Sequence, residues 1–163
     1  MKGPVSLSPD QAAFLQGPVS INLAASGPDG WPCVARAQGC AVARDRRALT
    51  VLVAASSARA VLDALDAGSA LAVVFARPLT HVTLQLKATH ATRVPVTPAL
   101  RACNGRYAAA FGAELGSLGY SDSMVQGLVR MLTAPDMVGL RLAPEAIYDQ
   151  TPGPNAGRRV EPA

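Results

Sequence analysis

Apolar residues alternate with polar or small ones along much of this chain. Val19, Ile21 and Leu23 fall on one side of a two-residue period while Ser20, Asn22 and Ala24 fall on the other, which predicts a strand. The turn formers SGPDGWP then predict a hairpin into a second strand over 33–42, and the polar turn ARDRR returns the chain into a third from Ala48. These three strands make an antiparallel meander. At Ser56-Ser57 the period changes, because Val61, Leu62 and Leu65 follow the spacing of a helix face over 58–66, and Gly68 is its stop. The apolar run 70–76 reads as a buried fourth strand. A long fifth strand is expected over 81–92, with Val82, Leu84 and Leu86 opposite Thr83, Gln85 and Lys87.

Three further segments complete the pattern. Ser8-Pro9-Asp10 opens a short helix over 9–16, since proline suits the first turn and aspartate the positive end of the helix dipole. Thr97-Pro98 opens a helical region that runs to Leu132 with breaks near Gly116 and Gly119, and its second part begins at Ser121 or Asp122. Residues 137–142 supply a sixth strand, and 152–163 form a tail rich in Pro and Gly without regular structure. No repeat or domain boundary interrupts this order. The expectation is one domain over 1–163, mainly β with peripheral helices: a six-stranded antiparallel barrel carrying a helical insertion between strands five and six.

Composition narrows the function classes. Of 163 residues, 50% are hydrophobic but only 4% aromatic, so the core must be built from Val, Leu and Ala. The net charge is +4, and all but two of the fifteen basic residues are arginine. They are scattered and lack interleaved aromatics, which argues against a nucleic-acid binder and for small anionic ligands. No apolar run is long enough to cross a bilayer, and the start MKGPVSLSPD has no apolar segment after its lysine, so a soluble cytoplasmic protein is expected. Cys33, Cys40 and Cys103 lack a CxxC spacing, and Cys33 and Cys40 are expected on opposite faces of one strand. His81 and His90 likewise fall on opposite faces of the fifth strand and cannot share a metal.

No catalytic constellation emerges, and no GxSxG, HExxH, P-loop or GxGxxG is present. What remains is a set of polar residues on faces built otherwise of small apolar ones. Arg36 and Gln38 share a face of strand two, Ser57 and Arg59 follow strand three, and Gln85 and Lys87 share a face of strand five. Either these faces meet solvent, or they line one side of a barrel that takes a flat, partly apolar ligand with a phosphate. The serines at 56 and 57 have two readings in the same way: a helix cap, or an anion cradle completed by Arg59.

The stretches FLQGPVSINLAASGPDGWPCVARAQG, LTVLVAASSARAVLDAL, ALAVVFARP and THVTLQLKA, in that order over 11–92, resemble the pyridoxamine 5′-phosphate oxidase-like FMN-binding split barrels. The sixth strand and the ending IYDQTPGPNAG resemble one bacterial branch of that superfamily. The resemblance implies a split barrel that forms a homodimer with FMN in grooves at the interface, acting as an oxidoreductase on a small molecule. It places the FMN phosphate at Ser57 and Arg59 with help from Arg36, the ring beside the backbone of Leu52 and Val53, and the polar residues Gln85 and Lys87 near the flavin. The C-terminal Trp- and Arg-containing signature of the oxidase that makes pyridoxal phosphate has no counterpart, since Trp31 lies in an early hairpin, so that activity is not the one expected. A haem-binding or haem-degrading protein on the same barrel, motivated by His81 and the helical insertion, and a cofactor-free binding module are the alternatives.

Overall fold

The computed structural model describes residues 5–160. Helix α1 (Pro9–Leu15) leads into strands β1 (Ser20–Ser26), β2 (Pro32–Val42) and β3 (Leu49–Ala54). Then come α2 (Arg59–Asp66), β4 (Leu71–Ala76), β5 (Thr83–Ala88) and β6 (Ala91–Val94). The helical pair α3 (Pro98–Ser117) and α4 (Asp122–Leu132) precedes β7 (Met137–Leu142), β8 (Ala146–Asp149) and β9 (Arg158–Val160). The start of α1 follows from sequence: Ser8 Oγ accepts from the Gln11 amide at 3.1 Å while Gln11 Oε1 accepts from the Ser8 amide at 2.8 Å.

All nine strands form one antiparallel sheet in the order β6-β7-β3-β2-β1-β4-β5-β8-β9. This order requires closure. In a flat sheet β6 and β5 would lie six strand spacings apart, about 29 Å, yet the link from Ala88 to Ala91 spans three Cα steps, about 11 Å at most. The sheet must therefore curl until its β6–β7 side meets its β5–β8 side, which is a barrel with a seam. The expected fifth strand over 81–92 is accordingly broken. Its first half pairs with β4 and β8, its second half with β7, and Thr89-His90 carry the chain across the seam.

Three more expectations change. The tail is not wholly irregular, because Arg158–Val160 pairs with β8; residues 161–163 lie outside the described residues. The helical insertion follows β6 and not a fifth strand. Cys33 and Cys40 do not face opposite ways: the β2–β3 register shifts between Ala37 and Cys40, and that irregularity reverses the alternation, so both pack against the core. His81 and His90 lie outside the strands, and both are exposed.

Inside the barrel one register row shows how the alternation is used. Ala35, Leu23, Val73, Leu86, Ile147 and Val160 stand opposite one another across six strands, and all belong to or pack on the core. Phe75, Ile21 and Leu71 are fully buried beside them. Among the described residues no helix is long and apolar enough to cross a membrane.

Packing is close where β6 runs along β7. A Cβ at Gly139 would lie 2.7 Å from Val94 Cγ2 and 3.1 Å from the Val94 carbonyl oxygen, so β6 and β7 meet at this distance only because residue 139 has no side chain. Gly139→Ala should destabilise the protein by about 1 to 3 kcal/mol. Urea unfolding followed by circular dichroism measures this, and Gly105→Ala at an exposed position of α3, where an added Cβ meets nothing within 4 Å, serves as the comparison.

Candidate functional site

The row next to the core row faces outward. Register pairs place Arg36 opposite Asn22, Asn22 opposite Val74, Val74 opposite Gln85, Gln85 opposite Tyr148 and Tyr148 opposite Arg159. One step further along the strands a second outward row runs Val34, Ala24, Ala72, Lys87 and Ala146. Arg36, Gln85 and Lys87, proposed from parity within single strands, thus lie on one continuous surface. Its far side is closed by β9.

The near side of this surface is covered by α3, whose 20 residues span about 30 Å. Asn104 fixes its first turns, donating from Nδ2 to the carbonyl oxygens of Gln38 at 2.6 Å and Leu132 at 2.7 Å. Beneath it Gly39 takes φ 142°, a conformation that side chains rarely adopt, and a Cβ there would meet Asn104 Cα at 3.5 Å and Leu52 Cδ1 at 3.6 Å, ordinary contact distances. Further along, Tyr107 Oη donates to the Val19 carbonyl oxygen at 2.9 Å. Burial pushes that phenol up to about 12, so it stays a donor. Phe111 stacks on Tyr107 and lies 5.1 Å beneath the Arg36 guanidinium. At the far end Glu114 takes a bidentate pair from Arg77, at 3.0 and 3.1 Å, and a third hydrogen bond from the Leu79 amide.

Arg36 is left with little to neutralise it. Its Nη1 donates to Ser20 Oγ at 3.4 Å, its buried Nε has no hydrogen-bond partner, and among the described residues it joins no ion pair. Gln38 shares its face, as expected, but α3 and α4 seal it at 5% exposure; its Nε2 donates to the Met131 carbonyl oxygen and its Oε1 is unpartnered. Leu52 and Val53 are both 0% exposed, Leu52 beside Gly39 under α3 and Val53 in the core, so neither offers surface to a ligand.

Ser57 and Arg59 occupy another part of the molecule, at the start of α2. The helix begins after Ala58 with no side-chain cap, which removes the capping reading; Ser57 Oγ instead donates back to the Ala54 carbonyl oxygen at 3.3 Å. The anion reading also gains a complication that sequence did not signal. Asp136 Oδ2 accepts from the Ser56 amide at 2.8 Å, and hydrogen bonding from Ser56 holds that carboxyl below its ordinary range. Arg59 remains exposed, lines a cavity of about 210 Å³ with Arg93 and Asp63, and joins no ion pair among the described residues.

Sequence reasoning missed Arg159 and Asp136. A group of three or more His, Cys, Asp or Glu side chains able to hold a metal ion is absent among the described residues.

No family model and no curated protein matches the sequence. Solved structures match the fold. A candidate pyridoxamine 5′-phosphate oxidase of Lactobacillus delbrueckii aligns at TM-score 0.54 and 17% identity, over 88% of this chain and 93% of its own. A protein described as an F420 reductase aligns at TM-score 0.56 and 18% identity, over 86% of this chain and 98% of its own. The HupZ protein of Group A Streptococcus aligns at TM-score 0.54 and 12% identity, over 93% and 99%. The fold is therefore that of the pyridoxamine 5′-phosphate oxidase-like proteins, in agreement with the resemblance read from sequence.

The clamp on α3 carries its own prediction. The Arg77 hydrogen bonds, joined by the Leu79 amide, hold the Glu114 carboxyl below its ordinary range in spite of its burial. A lowered folded value means that the pair stabilises fully above the ordinary glutamate range, and that this contribution is lost as the pH falls through the folded value. Glu114→Gln should lower Tm at pH 7 and flatten the decline of Tm below about pH 4. Thermal melts of both proteins across that range measure it, and parallel declines would show that the clamp is not what titrates.

Proposed function

We propose that the chain is an FMN-binding flavoprotein, an oxidoreductase acting with a small-molecule redox substrate, and that it works as a homodimer. The observation that carries this reading is Arg36: a guanidinium without a carboxylate partner and with an orphaned buried nitrogen, on the same outward surface as Gln85 and Lys87. An uncompensated cation held beside further donors favours an anionic, polar-edged ligand. The two names that denote an oxidase and a reductase among proteins sharing the fold support the redox part.

The residues fit the group unevenly. Ser57 and Arg59 are exposed at the start of α2 and suit a phosphate, whereas the Ser56 amide already serves Asp136. Arg59 and the Ser57 hydroxyl of one protomer would hold the phosphate, and, because Arg36, Gln85 and Lys87 lie on a separate surface, those residues would orient the flavin from the other protomer across the dimer interface. Gln85 is already positioned, since its Oε1 accepts from Gln150 Nε2 at 3.2 Å, which leaves its own amide hydrogens to donate. Bound flavin supplies hydride transfer, so this chain needs no acid–base pair of its own; its residues bind, orient and exclude water. The dimer reading is supported by Trp31 and Val34, exposed at 75% and 72% on the β1–β2 hairpin and β2, whose apolar surface a second copy would cover.

Two experiments test this. After incubation with FMN and desalting, the protein should keep a flavin absorption spectrum, and Arg59→Ala should weaken FMN binding by roughly ten- to a hundredfold while leaving riboflavin binding unchanged. A colourless protein contradicts the flavin reading; an unchanged FMN-to-riboflavin ratio removes Arg59 from the phosphate site. Light scattering should report twice the 16.7 kDa chain mass, with Val34→Asp shifting the protein towards monomer.

A further inference from the structure

We infer that the outward surface between β1 and β9 holds a second binding site, for a small molecule that joins a flat apolar body to an acidic group. This surface carries an open cavity of about 590 Å³, within the usual range for small-molecule pockets. Its floor is unusual for an open sheet face, where polar residues normally fill the outward positions. Here the outward row supplies Ala24, Ala72 and Ala146, three side chains of one carbon on strands β1, β4 and β8. A flat molecule lies against such a floor without steric hindrance. Lys87 shares the row but leans away from it, its Nζ lying 5.1 Å over the Tyr148 ring.

The charges at the rim select the second half of the ligand. Arg159 reaches the cavity from β9 and is steadied by one hydrogen bond, Nη2 to the Glu145 carbonyl oxygen at 3.0 Å, which leaves its other nitrogens free to donate. Neither Arg159 nor Lys87 joins an ion pair among the described residues. The one acidic group in the lining, Glu145, is engaged: Oε1 accepts from the Thr89 amide at 3.2 Å and from the Thr89 hydroxyl. Arg159, unpaired among the described residues, therefore faces the cavity, with Lys87 at its border, against one carboxylate that already accepts from Thr89. A carboxylate, sulfonate or phosphate on an aromatic or conjugated body fits both the floor and the rim.

Lys87 borders this cavity and also the region assigned to the flavin. On the flavin reading the cavity is therefore the seat of the redox substrate, and only that role rests on the reading; binding itself does not need flavin. The probe is 8-anilinonaphthalene-1-sulfonate, an aromatic sulfonate whose fluorescence reports binding, compared with N-phenyl-1-naphthylamine, which has the same rings and no charge. The folded protein, with and without FMN, should bind the sulfonate saturably at one site per chain. Arg159→Gln should weaken it roughly tenfold and leave the neutral analogue unaffected. Ala72→Leu, a change at a half-exposed outward position, should fill the floor and weaken both probes, with unchanged thermal melting as the check on folding. Sulfonate binding that ignores both substitutions, or a neutral analogue that responds equally to Arg159→Gln, overturns the site. Failure to retain FMN alongside normal sulfonate binding overturns the flavin reading alone.

Discussion

Strand β2 belongs to both halves of the sheet, and the irregularity between Ala37 and Cys40 is the constraint on which the rest of the molecule depends. Before the shift the outward positions are Val34, Arg36 and Gln38, the first two paired with β1; Ala37 and Cys40, on either side of the shift, both belong to the core and both pair with β3. Without that extra residue the alternation would run on unbroken, and one half of the strand would turn its apolar side to solvent. The same irregularity puts Gly39 at the bend. Its φ of 142° is a conformation that side chains rarely adopt, and α3, packed over this bend, decides which part of the outward face stays open.

Two arginines show how that helix divides the surface. Arg77, at its far end, has the Glu114 carboxylate in bidentate geometry and is structurally accounted for. Arg36, under its middle, has a hydroxyl, an aromatic ring and no carboxylate. A protein that needed only to pin α3 would gain more from pairing both, because burying an unpaired cation is costly. The unpaired one lies where the outward rows begin, and the rows run from it to Gln85, Lys87 and Arg159. Charge that the fold leaves uncompensated on one surface is the physical basis for assigning ligands to it.

Much of this was legible in the sequence, and what was not has specific causes. The meander, α2 and the helical pair follow from periodicity and punctuation at Gly68, Pro98 and Gly119. The break at Thr89-His90 left no mark, because β-branched threonines continue the strand pattern on both sides of it while the cause, seam closure, is a property of strand order. The tail misled in the other direction: its Pro and Gly form the turn of a hairpin whose return strand carries Arg159. Parity put Arg36 with Gln38 and Gln85 with Lys87, but which rows meet depends on register between strands, which one strand does not encode. Leu52 and Val53 disappeared beneath α3 and into the core, and Asp136 reached Ser56 from eighty residues away; both depend on packing between distant segments.

The central claim is that the outward rows of the β2–β1–β4–β5–β8–β9 half form the ligand-bearing face. Amide chemical-shift mapping by NMR during a titration with FMN tests it most directly, because it reads every strand at once without substitution. The account predicts shifts concentrated at Asn22, Arg36, Val74, Gln85 and Lys87 and at the Ser57–Arg59 turn, with the α1 amides unmoved. Saturable binding with shifts confined to other surfaces, or no shifts at millimolar FMN, would contradict it.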